Sequence, residues 1–532
     1  MPFVFQYFVY LWLLLIRDVK AKYTCSGPSC TVSTSTGNYR GLNNSDGIQF
    51  LSIRYAQPPL ENLKFADPVS FLPSASMIYD ATQLPPFCIQ GNYANESEDC
   101  LYLNVFRPKQ NSYESSLPVM VWVHGGSFTE GGSADPVIYG AYLANTKGVI
   151  VVTMNYRLGL WGLFDDGNST NFALKDILLA LDWVKQNIQY FNGDASSVTL
   201  AGQSSGATAV RAMLSSSKAV GLFKYAILQS DPMNYGWYPR ETSAYITSLV
   251  YNQTGCFDLD CMRTLSTSAI LSAQEYVLSC APTLKLNVSY ATPLSPIIDE
   301  NILMQDFSVY LENDNLPVQV PIMIGTVKNE SNHIIEGVLP SPVPVSYYST
   351  VLAEFLGNER ADEVVETGLF APSESADDST RICAAYFSGL FYWTCPVEQN
   401  SVKLASLLHN KVYLYEFRLG MTYPNLTSLS MCEFPNVCHE SDLYPLFGTY
   451  SPMVMDSRQK RLAAEVQERW TSFMSTGSPN SSKYPLQWSP VDSSSKLNLL
   501  MLGREKTRHH MYEEECAVMG TAVKYDYQLY SQ

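Results

Sequence analysis

The stretch Val198-Thr-Leu-Ala-Gly-Gln-Ser204-Ser-Gly-Ala207 holds the residues best suited to nucleophilic chemistry in this chain. An apolar run leads into Gly202-x-Ser204-x-Gly206, and a helix-forming run through Leu214 follows. This is the nucleophile-elbow pattern. A strand turns into a helix so tightly that the flanking residues must be small, and the serine oxygen stands clear of the backbone. The helix then aims its N-terminal N–H groups and positive dipole end at any oxyanion formed there. A serine hydroxyl is a poor nucleophile until a histidine takes its proton and a carboxylate orients that histidine. Six histidines are available. His124 belongs to a loop after a strand, His409 ends a helical stretch, and His509 and His510 lie in a polar tail; His333 and His439 complete the set.

Positioning such a serine requires a strand, a helix and a framework around them. Gly47–Arg54, Cys100–Phe106 and Pro118–Val123 carry β-branched or aromatic residues bounded by turns, and Val149–Met154 is apolar throughout, as a strand covered on both faces should be. Later strands are expected at Lys224–Gln229, Val320–Gly325 and Val412–Phe417. Pro58 and Pro59 forbid helix where they stand. Leu174–Ile188 reads as a helix with Leu174, Leu178, Leu181 and Val184 on one face, and Arg461–Met474 as another with Leu462, Val466, Trp470 and Phe473 inward. Alternating strands and helices predict an α/β fold: a mostly parallel central sheet with helices on both faces. No repeat, low-complexity tract or linker interrupts it, so residues 22–532 read as one domain.

The chain of 532 residues carries a formal net charge of −16, which argues against nucleic acid or anionic membrane as partners. Its N-terminus has an apolar run from Phe3 to Ile16, short for a membrane span and suited to a signal peptide cut after Ala21, with no further span in the mature chain. Secretion, or residence in the secretory lumen, is the expectation, and twelve cysteines fit it. Local pairing would join Cys25–Cys30, Cys88–Cys100, Cys256–Cys261, Cys383–Cys395 and Cys432–Cys438, leaving Cys280 for Cys516. None shows the two-plus-two layout of a zinc site, and no metal or cofactor is expected. Sequons at Asn43, Asn95, Asn168, Asn252, Asn287, Asn425 and Asn480 suit a glycoprotein; Asn329 is also formally one.

Several motifs now combine. Tyr55-Ala-Gln-Pro-Pro59, Glu98-Asp-Cys-Leu-Tyr-Leu-Asn-Val105, His124-Gly-Gly-Ser-Phe128, Asn155-Tyr-Arg-Leu-Gly159, Trp183-Val-Lys-Gln-Asn-Ile188, Gly193-Asp194, the elbow and Gly477-Ser-Pro-Asn480 stand in that order. Together they resemble the type-B carboxylesterases, the cholinesterase-like branch of the α/β-hydrolase superfamily, over nearly the whole mature chain. Cys438 before the histidine and Gln229-Ser-Asp-Pro232 resemble amoebozoan members. The resemblance implies the chain order Ser204, then an acid, then a histidine. The histidine is His439, in Cys438-His-Glu-Ser-Asp-Leu; the acid is Glu330, just past a strand, with Asp299 and Glu300 as rivals. It also implies an oxyanion hole from the backbone N–H groups of Gly126, Ser127 and Ser205.

Three residues depart from the family pattern: Ser127 where many relatives have glycine, Gln203 for the usual glutamate, and Ser205 for the usual alanine. Gln203 removes a negative charge that would stabilise an imidazolium. The Cys88–Cys100 loop lacks the tryptophan with which cholinesterases hold a quaternary ammonium; Tyr93 is its only aromatic. The resemblance thus implies a secreted serine esterase acting on small-molecule carboxylic esters, without preference for choline. The competing expectation is a catalytically weak adhesion or storage glycoprotein. Neuroligin-type relatives typically lose the nucleophile, whereas Ser204, Glu330 and His439 are all present here. Acyl preference and oligomeric state stay open.

Overall fold

The computed structural model describes residues 23–521, apart from 75, 110–114, 281–292, 376, 410, 422–428, 451–454, 493–495 and 505. The signal-peptide expectation and the sequons at Asn287 and Asn425 lie outside the described residues.

One sheet dominates, and its strands lie in chain order except that Ile150–Met154 stands between Tyr102–Arg107 and Leu117–Val123, and Ile78–Asp80 beside Gly37–Asn44. The N-terminal part is β1 (Tyr23–Ser26), β2 (Ser29–Thr34), β3 (Gly37–Asn44), β4 (Gly47–Arg54) and β5 (Ile78–Asp80); β6 (Phe87–Cys88) and β7 (Glu96–Ser97) form a separate pair. Then come β8 (Tyr102–Arg107), β9 (Leu117–Val123), β10 (Ile150–Met154), β11 (Gly193–Gln203), β12 (Tyr225–Gln229), β13 (Ile322–Val327), β14 (Val412–Phe417), β15 (Leu499–Leu502) and β16 (Lys506–Arg508). The spatial order is β1-β2-β3-β4-β8-β10-β9-β11-β12-β13-β14-β15-β16, with β5 beside β3. From β10 to β15 every neighbouring pair is parallel. β1–β4 and β8 meet antiparallel partners on one side, and β16 does so on the other. This is the α/β-hydrolase architecture.

Side-chain alternation along a strand explains how one sheet serves two cores. On β9, Val119, Val121 and Val123 face the core under helix Phe172–Asn187, with Leu174, Leu181 and Val184. Met120 and Trp122 face the opposite core with Trp470 and Phe473 of helix Ser457–Thr476. That second helix starts on a capping box from Asp456 and Gln459. Its buried Leu462, Val466 and Phe473 each contribute about 1.5–3 kcal/mol of apolar transfer. A third core gathers helices inserted between β13 and β14: Asn332–Val338, Tyr348–Leu356, Asn358–Glu366 and Ser379–Gly389. Among the described residues no helix is long and apolar enough to cross a membrane.

Disulfides join Cys25–Cys30, Cys88–Cys100, Cys256–Cys261 and Cys432–Cys438, as local pairing predicts. Two expected pairings are corrected. Cys395 bonds Cys516, and neither Cys383 nor Cys280 lies in a disulfide. Cys383 and Cys395 stand on consecutive helical segments, Ser379–Gly389, Leu390–Thr394 and Cys395–Leu407. Along such a rod their separation is about 18 Å, far beyond the roughly 4.4–6.8 Å between Cα atoms that a disulfide spans. Cys516 is brought to Cys395 instead by helix Glu513–Thr521, which packs against Leu390–Thr394.

Candidate active site

The carboxyl ends of parallel strands are where an open α/β sheet offers a crevice. β9 ends at Val123, β11 at Gln203, β12 at Gln229 and β13 at Val327, and each runs into a loop carrying one part of the site.

Ser204 joins β11 to helix Ser205–Leu214 at φ 56°, ψ −127°, a backbone setting that non-glycine residues seldom adopt. The turn is closed by glycines on both sides. A Cβ on Gly202 would stand 2.5 Å from the Gly206 backbone, and one on Gly206 would stand 2.2 Å from the Val123 carbonyl. The Ser204 N–H donates to the Gln229 carbonyl at 2.9 Å, anchoring the turn to β12. The helix is held by Arg211, whose Nε donates to Asp231 Oδ2 at 2.8 Å, while Thr208 Oγ1 donates to Asp231 Oδ1 at 2.9 Å. Asp231 belongs to the Gln229-Ser-Asp-Pro232 segment, so this variant braces the elbow helix from the exit of β12.

Beyond β9, Gly126, Ser127 and Phe128 have φ of 103°, 53° and 59°. Consecutive residues of this kind turn their N–H groups inward. The N–H groups of Gly126 and Ser127 find no acceptor among the described residues, and Ser205 opens a helix, where N–H groups have no intrahelical partner. The Phe128 N–H donates to Ser205 Oγ at 3.2 Å, tying this loop to the elbow helix.

Glu330 stands three residues past β13. Its Oε1 accepts the Val327 N–H at 2.7 Å, and its Oε2 lies 2.6 Å from His439 Nδ1. Both side chains are buried. Burial pushes the Glu330 carboxyl up and the His439 imidazole down, since each charged form loses its water. The rivals are elsewhere: Asp299 accepts the N–H groups of Asn301, Ile302 and Leu303 and so shapes a turn, which Glu300 continues.

His439 is placed by its own loop. The Cys432–Cys438 disulfide ends one residue before it, the Cys438 N–H donates to Ser441 Oγ at 2.9 Å, and the Ser441 N–H returns to the Cys438 carbonyl. Asp442 accepts from Tyr415 at 2.9 Å and from Gln229 at 2.8 Å, locking the stretch against β12 and β14. The imidazole stacks on His333, with ring centroids 5.2 Å apart, and tilts against Trp393 at 5.5 Å. Burial and the neighbouring His439 take His333 down to about 3.

Ser204, Ser205, Gly126, Ser127 and His439 all line one cavity of about 310 Å³, walled on its far side by His333, Ile335, Ser388, Tyr392 and Trp393 of the helical insertion. Glu440, at φ 71°, also lines it; burial, with Asp135, Glu130 and Asp442 nearby, raises its carboxyl to about 7. Tyr93 is not among the lining residues and stacks on Phe87 at 4.1 Å. His333, Trp393 and Glu440 line the site without having been expected there from sequence. His333 and Glu440 sit next to motif residues and were within reach; nothing in the sequence marks Trp393. Gln203 stands beside the histidine, as the resemblance implies, and its Nε2 lies 2.8 Å from His439 Nε2.

The profile of the carboxylesterase family matches residues 28–519. The chain belongs to the carboxylesterase family. Among relatives of this carboxylesterase-family chain, the crystal protein of Dictyostelium discoideum is 30% identical over 487 residues, 88% of this chain and 86% of that one. Neuroligin-3 of Mus musculus is 29% identical over 533 residues, covering 85% of this chain and 62% of its own. The solved structure of a PNB esterase superposes with a TM-score of 0.74 at 26% identity, over 91% of this chain and 98% of that one.

Proposed function

We propose that this carboxylesterase-family chain is a serine carboxylic ester hydrolase working through an acyl-enzyme on Ser204. The observation that carries this reading is the 2.6 Å contact between His439 Nδ1 and Glu330 Oε2, with the imidazole and Ser204 in one cavity. Ser204 Oγ attacks the ester carbonyl carbon while its proton passes to His439 Nε2. Glu330 fixes the tautomer and steadies the imidazolium. The carbonyl oxygen becomes an oxyanion that accepts from the N–H groups of Gly126, Ser127 and Ser205, each such donor being worth about 2.7–4 kcal/mol in the transition state. The alcohol leaves with the proton from His439. Water then attacks the acyl-enzyme by the same route and the acid departs. The reaction draws on no metal or cofactor. We also infer a signal peptide over residues 1–21, a single mature domain over 22–532, passage into the secretory lumen or outside the cell, and glycans on the exposed sequons Asn95, Asn168 and Asn252. The disulfides support that route.

A second reading, a catalytically weak adhesion or storage glycoprotein, is favoured by one observation: His439 Nε2 is hydrogen-bonded to Gln203 rather than to Ser204. Labelling with a fluorophosphonate probe and turnover of p-nitrophenyl esters of graded acyl length separate the two. The esterase reading expects label on Ser204 and a loss of kcat of several powers of ten in Ser204→Ala. Turnover surviving intact in that variant would sink it.

A further inference from the structure

Gln203 is the last residue of β11 and directly precedes Ser204. Its side chain is buried and does not line the catalytic cavity. The amide reaches the site from beneath. Nε2 lies 2.8 Å from His439 Nε2, and Oε1 packs so close to Gly125 that a Cβ there would stand 2.7 Å from it. The other ring nitrogen of His439 faces Glu330. An amide nitrogen only donates, so toward Gln203 the imidazole presents its lone pair. That is the lone pair which must accept the Ser204 proton. Among the described residues no hydrogen bond joins Ser204 to His439.

Resting on the assignment of Ser204 and His439 as nucleophile and base, we propose that Gln203 is a positioning residue that caps the base: its amide N–H holds His439 Nε2 in the resting site, and Ser204 is activated only when that amide turns over. In the turned state Oε1 faces the ring. The Ser204 O–H bond breaks, the proton adds to Nε2, and the new N–H can donate to Oε1. One side chain therefore opposes the imidazolium in one orientation and stabilises it in the other, with no net charge supplied. The alternative residue of this length and shape, glutamate, offers only the stabilising face. The titratable groups that face this imidazole are Glu330 at Nδ1, Asp442 and Glu440 on its own loop and His333 stacked on its ring. None of them contacts Nε2, so Gln203 controls that nitrogen.

The test uses the full chain as wild type, Gln203→Met, Gln203→Glu and Ser204→Ala. Methionine keeps the length and removes the donor; glutamate keeps the shape and only accepts. The second-order rate of fluorophosphonate labelling should rise roughly fivefold in Gln203→Met, the equivalent of one ordinary hydrogen bond released. Gln203→Glu should also label faster, and the acid limb of its pH–rate profile should move to higher pH, because a carboxylate beside Nε2 favours the protonated ring. A merely structural role would not shift that limb. A Gln203→Met rate at or below wild type in a folded protein overturns the cap; if that variant does not fold, the Gln203→Glu rate decides by the same criterion. No Ser204-dependent label in any variant overturns the nucleophile assignment instead, and the cap with it.

Discussion

Ser205 occupies a position where family members usually carry alanine, and its hydroxyl accepts the Phe128 N–H at 3.2 Å. The backbone N–H proposed for the oxyanion hole does not depend on that hydroxyl, but the loop that bears Gly126 and Ser127 does. Ser127 holds φ 53°, a setting that a residue with a Cβ adopts at a cost of about 1 kcal/mol or more. A loop under such strain needs an outside tie. Ser205→Ala should therefore lower kcat roughly fivefold, the worth of one hydrogen bond, with KM little changed. Steady-state kinetics on a p-nitrophenyl ester check this, and an unchanged kcat would leave the tie without consequence. At this scale the residues proposed to react were legible because they come as types at fixed spacing, as in Gly202-x-Ser204-x-Gly206 and His439 with Asp442 three residues on. That residue 203 stands beside the histidine was legible too, through the family resemblance; the direct contact of its amide with Nε2 was not. It depends on which side of the end of β11 an amide emerges, relative to a loop 236 residues away in sequence.

Elements place these residues, and two of them invite measurement. The Cys432–Cys438 disulfide closes a small ring immediately before His439. Opening it releases roughly 2 kcal/mol of restriction on the chain and loosens the loop that must keep the imidazole in reach of Ser204. A Cys432→Ser/Cys438→Ser double variant should lose more than tenfold in kcat while still folded; an intact kcat would confine the bridge to stability. The second element is helix Cys395–Leu407. It buries Glu398, whose Oε1 has no hydrogen-bond partner among the described residues. Burial raises that carboxyl well above its ordinary range, with Glu416, Glu513 and Glu515 adding to the shift. The folded chain thus binds this proton more tightly than the unfolded one. The associated stability is complete below the unfolded value of about 4.3 and drains away as pH rises toward the folded value. Glu398→Gln should flatten the fall in Tm as pH rises above the ordinary carboxylate range, and an unaltered slope would clear Glu398. Apolar runs made most central strands readable: Gly47–Arg54 and Val412–Phe417 are observed with the predicted bounds and others within two residues, while the elbow strand begins at Gly193, five residues before the apolar run at Val198. The helical insertion between β13 and β14 was not readable. Its helices are short, and they bury their faces against one another rather than against the sheet. The pairing of Cys383 with Cys395 failed for a related reason, since nearness in sequence means distance along a helix.

For the whole molecule, the surface adds to the distinction between Asn329, set apart in sequence by its neighbour Glu330, and the other sequons. Asn95, Asn168 and Asn252 are exposed, whereas Asn329 is half-buried and adjoins Glu330. A glycan on Asn329 would collide with the packing around that carboxylate, so glycopeptide mass spectrometry should find it bare; substantial occupancy would count against Glu330 as the orienting acid. The largest covalent loop lies between Cys395 and Cys516, 121 residues apart, and encloses β14, the Cys432–Cys438 ring, His439 and helix Ser457–Thr476. A protease that severs the backbone once inside this loop produces two polypeptides still joined by a sulfur bridge. The fragment bearing Ser204 and Glu330 and the fragment bearing the far side of the cut cannot diffuse apart, and β14 remains threaded between β13 and β15. Outside the cell, where proteases are met and thiols are scarce, a nicked molecule would therefore keep all its parts in place.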